Sequence, residues 1–170
     1  YRTQTLDHLI YQIKYLIEQD IGLFRFSGSA TSAARGALIA EQVLKEEITM
    51  EYSMFTRGER NAKDNYSKIV QQYELMIKAG LRGIFMGIET ANPDVLDKVM
   101  EKGNSVDHIS YTVRAIKEAA RNTNIHVDVG LSFIYPTPIP KGTAITQKQV
   151  LNDNMSFIKE LERSGASIDS

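Results

Sequence analysis

Apolar residues recur along the chain with two different periods. From Leu6 to Ile17 they return every three or four positions, which is the stripe of an amphipathic helix. The same spacing predicts further helices at residues 34–47, 68–79, 92–103, 106–121 and 147–163. Short runs rich in apolar and aromatic residues predict strands at residues 23–27, 48–55, 84–88 and 125–135, and a further strand starts at 166–168.

The helix boundaries can be predicted from cap residues. Thr5 can accept a hydrogen bond at the start of the first helix, and Gly22 can close its end. In the second helix, the spacing predicts a buried set of Ala37, Leu38, Val43 and Leu44.

Strands and helices alternate along the whole chain, which is the pattern of a parallel sheet with helical crossovers. Three of the predicted strands, at residues 48–55, 84–88 and 125–135, have apolar residues on one face and mostly polar residues or glycine on the other. In residues 48–55 the alternate positions Met50, Tyr52 and Met54 are apolar, while Glu51 and Ser53 are polar. Residues 126–133 alternate in the same way. One face of the sheet is therefore predicted to lie under helices and the other to face a hydrated interior.

A sheet of this kind fits a (β/α) barrel, in which helices lie outside and a polar lumen holds a ligand. A complete barrel of eight units needs about 250 residues. The chain has 170 residues, so we expect an α/β fold that forms a partial barrel, incomplete at both ends, in a single domain over residues 1–170. An open sheet with one solvated face is the alternative.

Composition narrows the class of protein. The net charge is −1 and hydrophobic residues make up 42% of the chain, which is typical of a folded domain and excludes a generally basic nucleic-acid binder. No apolar run is long enough to span a membrane and no leader is visible, so a cytoplasmic location is expected. There is no cysteine, which excludes disulfides, a thiol nucleophile and iron–sulfur ligands from this chain.

In a barrel, ligand-binding residues lie at the carboxyl ends of the strands. Arg57 follows the second predicted strand and suits a carboxylate, although a solvated loop arginine explains it equally well. Glu89 follows the third predicted strand and suits the hydroxyls of a ribose or another diol, and Gly87 leaves room for that ligand; capping of the next helix is the alternative. The turn of Ser27, Gly28 and Ser29 can hold a polar group, or is simply a tight turn.

His126 and Asp128 lie two positions apart on the polar face of the fourth strand. They have the chemistry of acid–base groups or of metal ligands. The other two histidines are distant in sequence, so a hydrogen-bonded polar layer low in the barrel is the favoured interpretation.

Four stretches together resemble a radical S-adenosylmethionine enzyme. Residues 1–5 with the helix after them resemble the segment that follows the CxxxCxxC loop of that family, and residues 24–29 resemble its second strand and cofactor turn. Gly87-Ile88-Glu89-Thr90, with the Leu96 and Gly103 that follow, resembles its fourth-strand motif, and residues 127–138 resemble its fifth strand and proline loop. The branch most similar to this chain includes cobalamin-dependent and methylthio-transferring enzymes.

The resemblance implies a (β/α)6 partial barrel that binds S-adenosylmethionine. It implies that Glu89 holds the ribose, that Arg57 reaches the methionyl carboxylate, and that the backbone of residues 27–29 meets the amino group. The family often has Gly-Gly-Glu at this turn, whereas this chain has Ser27-Gly28-Ser29 and no acid.

The resemblance also implies a 4Fe–4S cluster, which the family holds with three cysteines that this chain lacks. We therefore interpret the sequence as a fragment of an iron–sulfur enzyme that cleaves S-adenosylmethionine to a 5′-deoxyadenosyl radical. This fragment supplies the barrel wall without the cluster ligands, and any cobalamin belongs to a separate domain. The expected partners are the small-molecule cofactor S-adenosylmethionine and an unknown substrate.

Two other functions stay open at the level of sequence. One is a phosphate- or sugar-handling barrel enzyme that uses Glu89, Asp128 and His126. The other is a non-catalytic (β/α) scaffold that binds a partner. A separate expectation concerns the fragment itself: with the family's first strand missing, the strand at residues 23–27 would have an unpaired edge and would promote self-association.

Overall fold

The architecture is a parallel sheet of four strands with helices on one side. The computed structural model describes residues 4–27, 30–101 and 103–163. The strands are β1 (Leu23–Phe26), β2 (Glu51–Thr56), β3 (Leu81–Glu89) and β4 (Asp128–Phe133). The helices are α1 (Leu6–Ile17), α2 (Ala33–Lys45), α3 (Tyr66–Lys78), α4 (Pro93–Lys98), α5 (Val106–Thr123) and α6 (Gln147–Arg163).

The strands lie in the order β1-β2-β3-β4, and every neighbouring pair is parallel. Because the strands lie in sequential order, each helical crossover connects a strand to its immediate neighbour in the sheet. Because right-handed crossovers then place their helices on the same face, the other face stays uncovered. This topology is that of a barrel wall rather than a doubly wound sheet. The chain forms a partial (β/α) barrel, as predicted.

The alternation of apolar and polar residues determines which face is covered. Tyr52, Met54, Ile84 and Met86 lie on the helix side with 2% or less of their surface exposed. Tyr52 stacks on Phe26 with 4.8 Å between the ring centroids. Burial among these neighbours raises the pKa of the Tyr52 hydroxyl, which therefore stays neutral in the core.

Helix α3 lies at the centre of this core. Ile69, Val70, Tyr73 and Ile77 are buried on one of its faces. Helix α2 packs against it through small residues, because the space beside Gly36 is filled by the sulfur of Met76.

Several predicted boundaries were wrong for identifiable physical reasons. Helix α1 begins after the Thr5 cap as expected, but it ends at Ile17, and Asp20 rather than Gly22 adopts the left-handed conformation that reverses the chain. The strand predicted at 48–55 begins at Glu51, because the N–H of Ile48 instead closes the end of α2 on the carbonyl of Val43. The sequence predicts the fourth strand, at residues 125–135, to be the longest. Among the described strands β3 is the longest, with 9 residues, and β4 has 6.

The buried set predicted for α2 was half wrong. Ala37 and Val43 are buried, but Leu38 is 49% exposed and Leu44 is 39% exposed. Each leucine follows a buried residue by one position, which rotates its side chain about 100° away from the packed face. The small Gly36 and Ala40 take part in the contact instead.

The short helix α4 ends at Lys98, earlier than predicted. The strand predicted at 166–168 lies outside the described residues. Among the described residues, no helix is long and apolar enough to cross a membrane.

Candidate functional site

The candidate site lies where the carboxyl ends of the parallel strands meet. Ser27 follows β1, Arg57 follows β2, and Glu89 is the last residue of β3. Because the three strands are parallel and adjacent, these residues lie at the same end of the sheet. Gly28 and Ser29, the other members of the predicted turn, lie outside the described residues.

The backbone of Glu89 has an uncommon conformation. Its φ is +67°, in the left-handed region that non-glycine residues rarely adopt. The register with β4 shifts at the same point, since Gly87 pairs with Ser132 whereas Glu89 pairs with Phe133. A bulge of this kind redirects a side chain at the end of a strand, and such features are concentrated at functional sites.

The capping role considered for Glu89 is filled by another residue. The side chain of Asn92 accepts the N–H of Val95 at 3.1 Å and thereby caps α4. The segment between Glu89 and α4 is held by α6, because Asn154 Oδ1 accepts the N–H of Ala91 at 2.7 Å. Glu89 is half-buried and is positioned by this fixed segment.

Gly87 lies on the uncovered face, two positions before Glu89, and its register partner on β4 is Ser132. Both residues are small. Two positions closer to the amino ends of the strands is a row in which Phe55, Phe85 and Gly130 are register partners. The rings of Phe55 and Phe85 lie 5.7 Å apart, and a side chain at Gly130 would meet the Phe85 ring at 2.9 Å. The uncovered face thus has an aromatic row, with the two small residues Gly87 and Ser132 in the layer next to it.

Arg57 is exposed and lines a cleft of about 470 Å³ beside the end of β2. The cleft lies between the first turns of α2 and α3 and the loop that follows β2. Its charged lining residues are Arg57, Glu59, Arg60 and Lys68.

The loop that carries Arg57 is tied to its surroundings on both sides. Before Arg57, Thr56 Oγ1 donates to the carbonyl of Thr31 at 2.9 Å. After it, the N–H of Ala33 donates to Glu59 Oε1 at 2.6 Å, and the N–H of Glu59 donates to Thr112 Oγ1 at 2.8 Å. These bonds connect the loop to the start of α2 and to α5, so Arg57 lies between fixed points.

The charged residues at the other end of the sheet do not join this site. Glu51 contacts Arg82 at 3.2 Å, and His126 contacts Asp128 at 2.7 Å, near the amino ends of their strands. Asp128 pairs with Gly83, six positions before Glu89, which corresponds to about 20 Å along a strand. The charged residues of the uncovered face therefore do not share one cavity: Arg57 and Glu89 lie at the carboxyl end of the sheet, and Glu51 and Asp128 lie at its amino end.

Sequence inspection missed three contributors to this end of the sheet. Glu59 and Asn154 act through contacts with residues 26 and 63 positions away, which leave no local pattern. The aromatic row could have been found, because Phe55 and Phe85 interrupt an otherwise polar or glycine-bearing set of alternate positions.

The described residues include partners for a ligand that carries both charged groups and hydroxyl groups. A guanidinium binds a carboxylate through a planar fork of donors, and a carboxylate accepts hydrogen bonds from two hydroxyls. Among the described residues, no group of three or more His, Cys, Asp or Glu side chains could hold a metal ion.

Comparison with known proteins identifies the family. Residues 1–133 match the family model of the radical SAM superfamily. No curated protein matches the sequence significantly.

Solved structures share the fold at low sequence identity. The chain is similar to the cobalamin-dependent S-adenosylmethionine radical enzyme OxsB with aqua-cobalamin and S-adenosylmethionine bound, with a TM-score of 0.67 and 17% identity over 99% of this chain and 24% of that chain. Apo, SeMet-labeled OxsB matches with a TM-score of 0.66 and 16% identity over 92% of this chain and 22% of that chain. A putative phosphonomutase from Burkholderia cenocepacia J2315 matches with a TM-score of 0.52 and 11% identity over 92% of this chain and 62% of that chain. The chain spans less than a quarter of the length of OxsB.

Proposed function

The chain belongs to the radical SAM superfamily, and on that premise we propose that it forms the S-adenosylmethionine-binding wall of an enzyme that cleaves this cofactor reductively to start radical chemistry. The observation that supports the proposal is that Arg57 and the bulged, left-handed Glu89 lie at the same end of the sheet, after β2 and at the end of β3. These two residues have the chemistry that the two ends of S-adenosylmethionine require.

The roles follow from the chemistry of each group. The carboxylate of Glu89 accepts hydrogen bonds from the ribose hydroxyls, and Gly87 leaves space for the sugar beside the backbone. The guanidinium of Arg57 binds the methionyl carboxylate. The turn of Ser27, Gly28 and Ser29 offers backbone groups at the end of β1 to the methionyl amino group.

The iron–sulfur cluster does not fit on this chain. A 4Fe–4S cluster needs thiolate ligands, and the 170 residues include no cysteine. In the proposal, the cluster ligands come from residues outside this sequence. By likeness to OxsB, whose structure holds aqua-cobalamin, any cobalamin would be held by another part of a longer protein.

The alternative acid–base enzyme has less support. It requires Glu89, Asp128 and His126 to act on one substrate, and Glu89 lies about 20 Å from the other two along the strands. The non-catalytic scaffold differs from our proposal in one measurable property, because it has no reason to bind S-adenosylmethionine.

Ligand binding by the isolated chain tests the proposal. The probes are S-adenosylhomocysteine, a stable analogue of the cofactor, and 5′-methylthioadenosine, which keeps the ribose but lacks the amino acid part. We expect Glu89→Gln to weaken both by about ten- to a hundredfold, the range for loss of hydrogen bonds to a charged group. Calorimetry and ligand-observed NMR measure the dissociation constants.

The matched control is Glu162→Gln, which removes an exposed carboxylate from α6 and should leave both affinities unchanged. Absence of binding to the wild-type chain at millimolar ligand would overturn the proposal. Equal affinities for wild type and Glu89→Gln would remove Glu89 from the site.

A further inference from the structure

The side chain of Arg25 crosses the uncovered face of the sheet. Arg25 lies on this face of β1, since the next residue, Phe26, stacks on Tyr52 on the helix side. The guanidinium carbon of Arg25 is 4.9 Å from the centre of the Phe85 ring, which belongs to β3. Because β2 lies between β1 and β3, the side chain extends across a whole strand. Its positive charge therefore lies over the middle of the face and not at the edge.

The contact with Phe85 leaves the hydrogen-bond donors of Arg25 available. A cation–π contact is an attraction between a charge and the face of a ring, and it requires none of the five N–H donors of a guanidinium. The Arg25 side chain is exposed. Among the described residues, its guanidinium forms no ion pair and no side-chain hydrogen bond.

The acidic residues at the amino end of the sheet contact other side chains. Glu51 contacts Arg82 at 3.2 Å, and Asp128 contacts His126 at 2.7 Å. Neither carboxylate is an ion-pair partner of Arg25. Within the described part of the chain, Arg25 is thus a cation whose charge is not neutralised by an acidic side chain.

A ligand that covers this face changes the energetics of that charge. In the proposed function, the uncovered face lines the interior of the barrel, where cofactor and substrate meet. Removing water from an unpaired guanidinium is unfavourable, whereas an anionic group on the ligand offsets this cost. The planar fork of donors on arginine matches a carboxylate or a phosphate group.

We propose that Arg25 binds an anionic group, a carboxylate or a phosphate, on the substrate of this enzyme. This inference rests on the proposed function and names the class of its substrate. Phe85 lies four positions before Glu89, which corresponds to about 13 Å along a strand. A substrate that extends from Arg25 towards the cofactor at Glu89 therefore has the length of a small molecule, with its anionic group at the end away from the cofactor.

The part of the face between these two ends favours an apolar body. The side chains of Phe55 and Phe85 are 37% and 39% exposed, so both rings are accessible to a ligand. A ring or hydrocarbon segment of the substrate can pack on them. The proposed substrate thus combines an apolar body with one anionic end.

Small aromatic probes test this assignment on the isolated chain. The probes are benzoate, phenyl phosphate and benzamide, which is the neutral counterpart of benzoate. We expect the wild-type chain to bind at least one of the two anions about tenfold more tightly than benzamide, and Arg25→Gln to abolish this preference. Which anion binds more tightly distinguishes a carboxylate from a phosphate on the substrate. NMR titrations measure the dissociation constants.

The Nε–H signal of Arg25 separates direct binding from a purely structural role. We expect this signal to shift as the anionic probe is added and to stay unchanged with benzamide. Shifts confined to the loop that carries Arg57 would place the anion elsewhere and overturn the inference. The matched control is Arg163→Gln, which removes an exposed guanidinium from α6 and should leave all three affinities unchanged.

A titration with the cofactor analogue already bound tests whether the two sites are separate. We expect the anionic probe to bind about equally well in the presence of saturating S-adenosylhomocysteine, because the sites lie about 13 Å apart. Mutual exclusion of the two ligands would place the anion at the cofactor site and overturn the inference.

The outcomes also separate this inference from the proposed function. If S-adenosylhomocysteine does not bind the wild-type chain, the proposed function fails, and the assignment of Arg25 to a substrate fails with it. If S-adenosylhomocysteine binds and depends on Glu89, but Arg25→Gln keeps the preference for anions or the wild type has none, the proposed function stands and the role of Arg25 is wrong. Should Arg25→Gln fail to fold, the response of the Arg25 Nε–H signal in the wild-type chain decides.

Discussion

Single backbone conformations determine how the site residues are presented. Glu89 has a φ of +67° at the end of β3, and the register shift beside it turns the chain away from the sheet. Non-glycine residues in sparsely populated regions cost about 1–3 kcal/mol and persist where the surroundings fix them. Here the buried Thr90, Ala91 and Asn92 that follow provide this constraint.

Gly80 illustrates a position where only glycine fits. Its φ is +105°, and a Cβ there would lie 1.9 Å from the carbonyl oxygen of Met50. We expect Gly80→Ala to lower the free energy of unfolding by about 2 kcal/mol or more, because neither the backbone of β2 nor that of α3 can move away cheaply. Chemical denaturation followed by circular dichroism measures the loss.

The control for Gly80→Ala is Gly22→Ala, where nothing lies within 4 Å of the added methyl group. That substitution should change the stability by no more than about 0.5 kcal/mol. Similar effects at the two positions would show that the close approach at Gly80 is not what restricts it.

Helix α6 connects the outside of the barrel to the site. It buries Val150, Phe157 and Leu161 against the core, and between them Asn154 is 5% exposed. The Asn154 side chain accepts hydrogen bonds from the N–H of Ala91 and the hydroxyl of Thr90. A polar residue in the middle of an apolar helix face thus fixes the segment directly after Glu89.

Replacing this buried amide should loosen the segment. We expect Asn154→Ala to lower the free energy of unfolding by about 1–3 kcal/mol, because the N–H of Ala91 loses its partner in a buried environment. Hydrogen exchange should increase at Ala91 and Asn92. Asn152→Ala, at an exposed position of the same helix, serves as the control, and equal exchange in the two variants would contradict the role of Asn154.

At the level of elements, the sequence correctly predicted the features that follow from the periodic spacing of apolar residues. The alternation of Tyr52 and Met54 with Ser53 and Phe55 correctly assigned the two faces of β2, because strand side chains alternate strictly. The burial of Leu38 was wrong because helix packing depends on which residues a partner helix admits, and α3 admits the small Gly36. The position of Glu59 could not be predicted, since its contacts with Ala33 and Thr112 form only in the folded chain.

The whole sheet has two outer strands. Within the described residues, β1 and β4 each pair with one neighbour only. The edge at β1 is short and exposes Leu23, which is 74% accessible. Unpaired N–H and carbonyl groups beside an apolar side chain favour pairing with another chain.

We therefore predict that the isolated chain self-associates through β1. Leu23→Lys should shift the association to higher protein concentration by about tenfold, since a lysine on an edge strand opposes pairing. Analytical ultracentrifugation over a concentration series measures this shift. The control is Leu151→Lys on the exposed side of α6, and a strictly monomeric wild-type chain at high concentration would contradict the prediction.

The aromatic row of Phe55 and Phe85 lies on the uncovered face, one layer closer to the amino ends of the strands than Gly87. The Phe85 ring occupies the space that a side chain at Gly130 would take, and Arg25 lies 4.9 Å from the centre of that ring, so bulky side chains occupy the middle of this face. A molecule bound beside Gly87, as proposed, would rest on these rings and would contact the loops that follow the strands. Substitutions in those loops would then alter which molecules bind, while the aromatic layer beneath them stays the same.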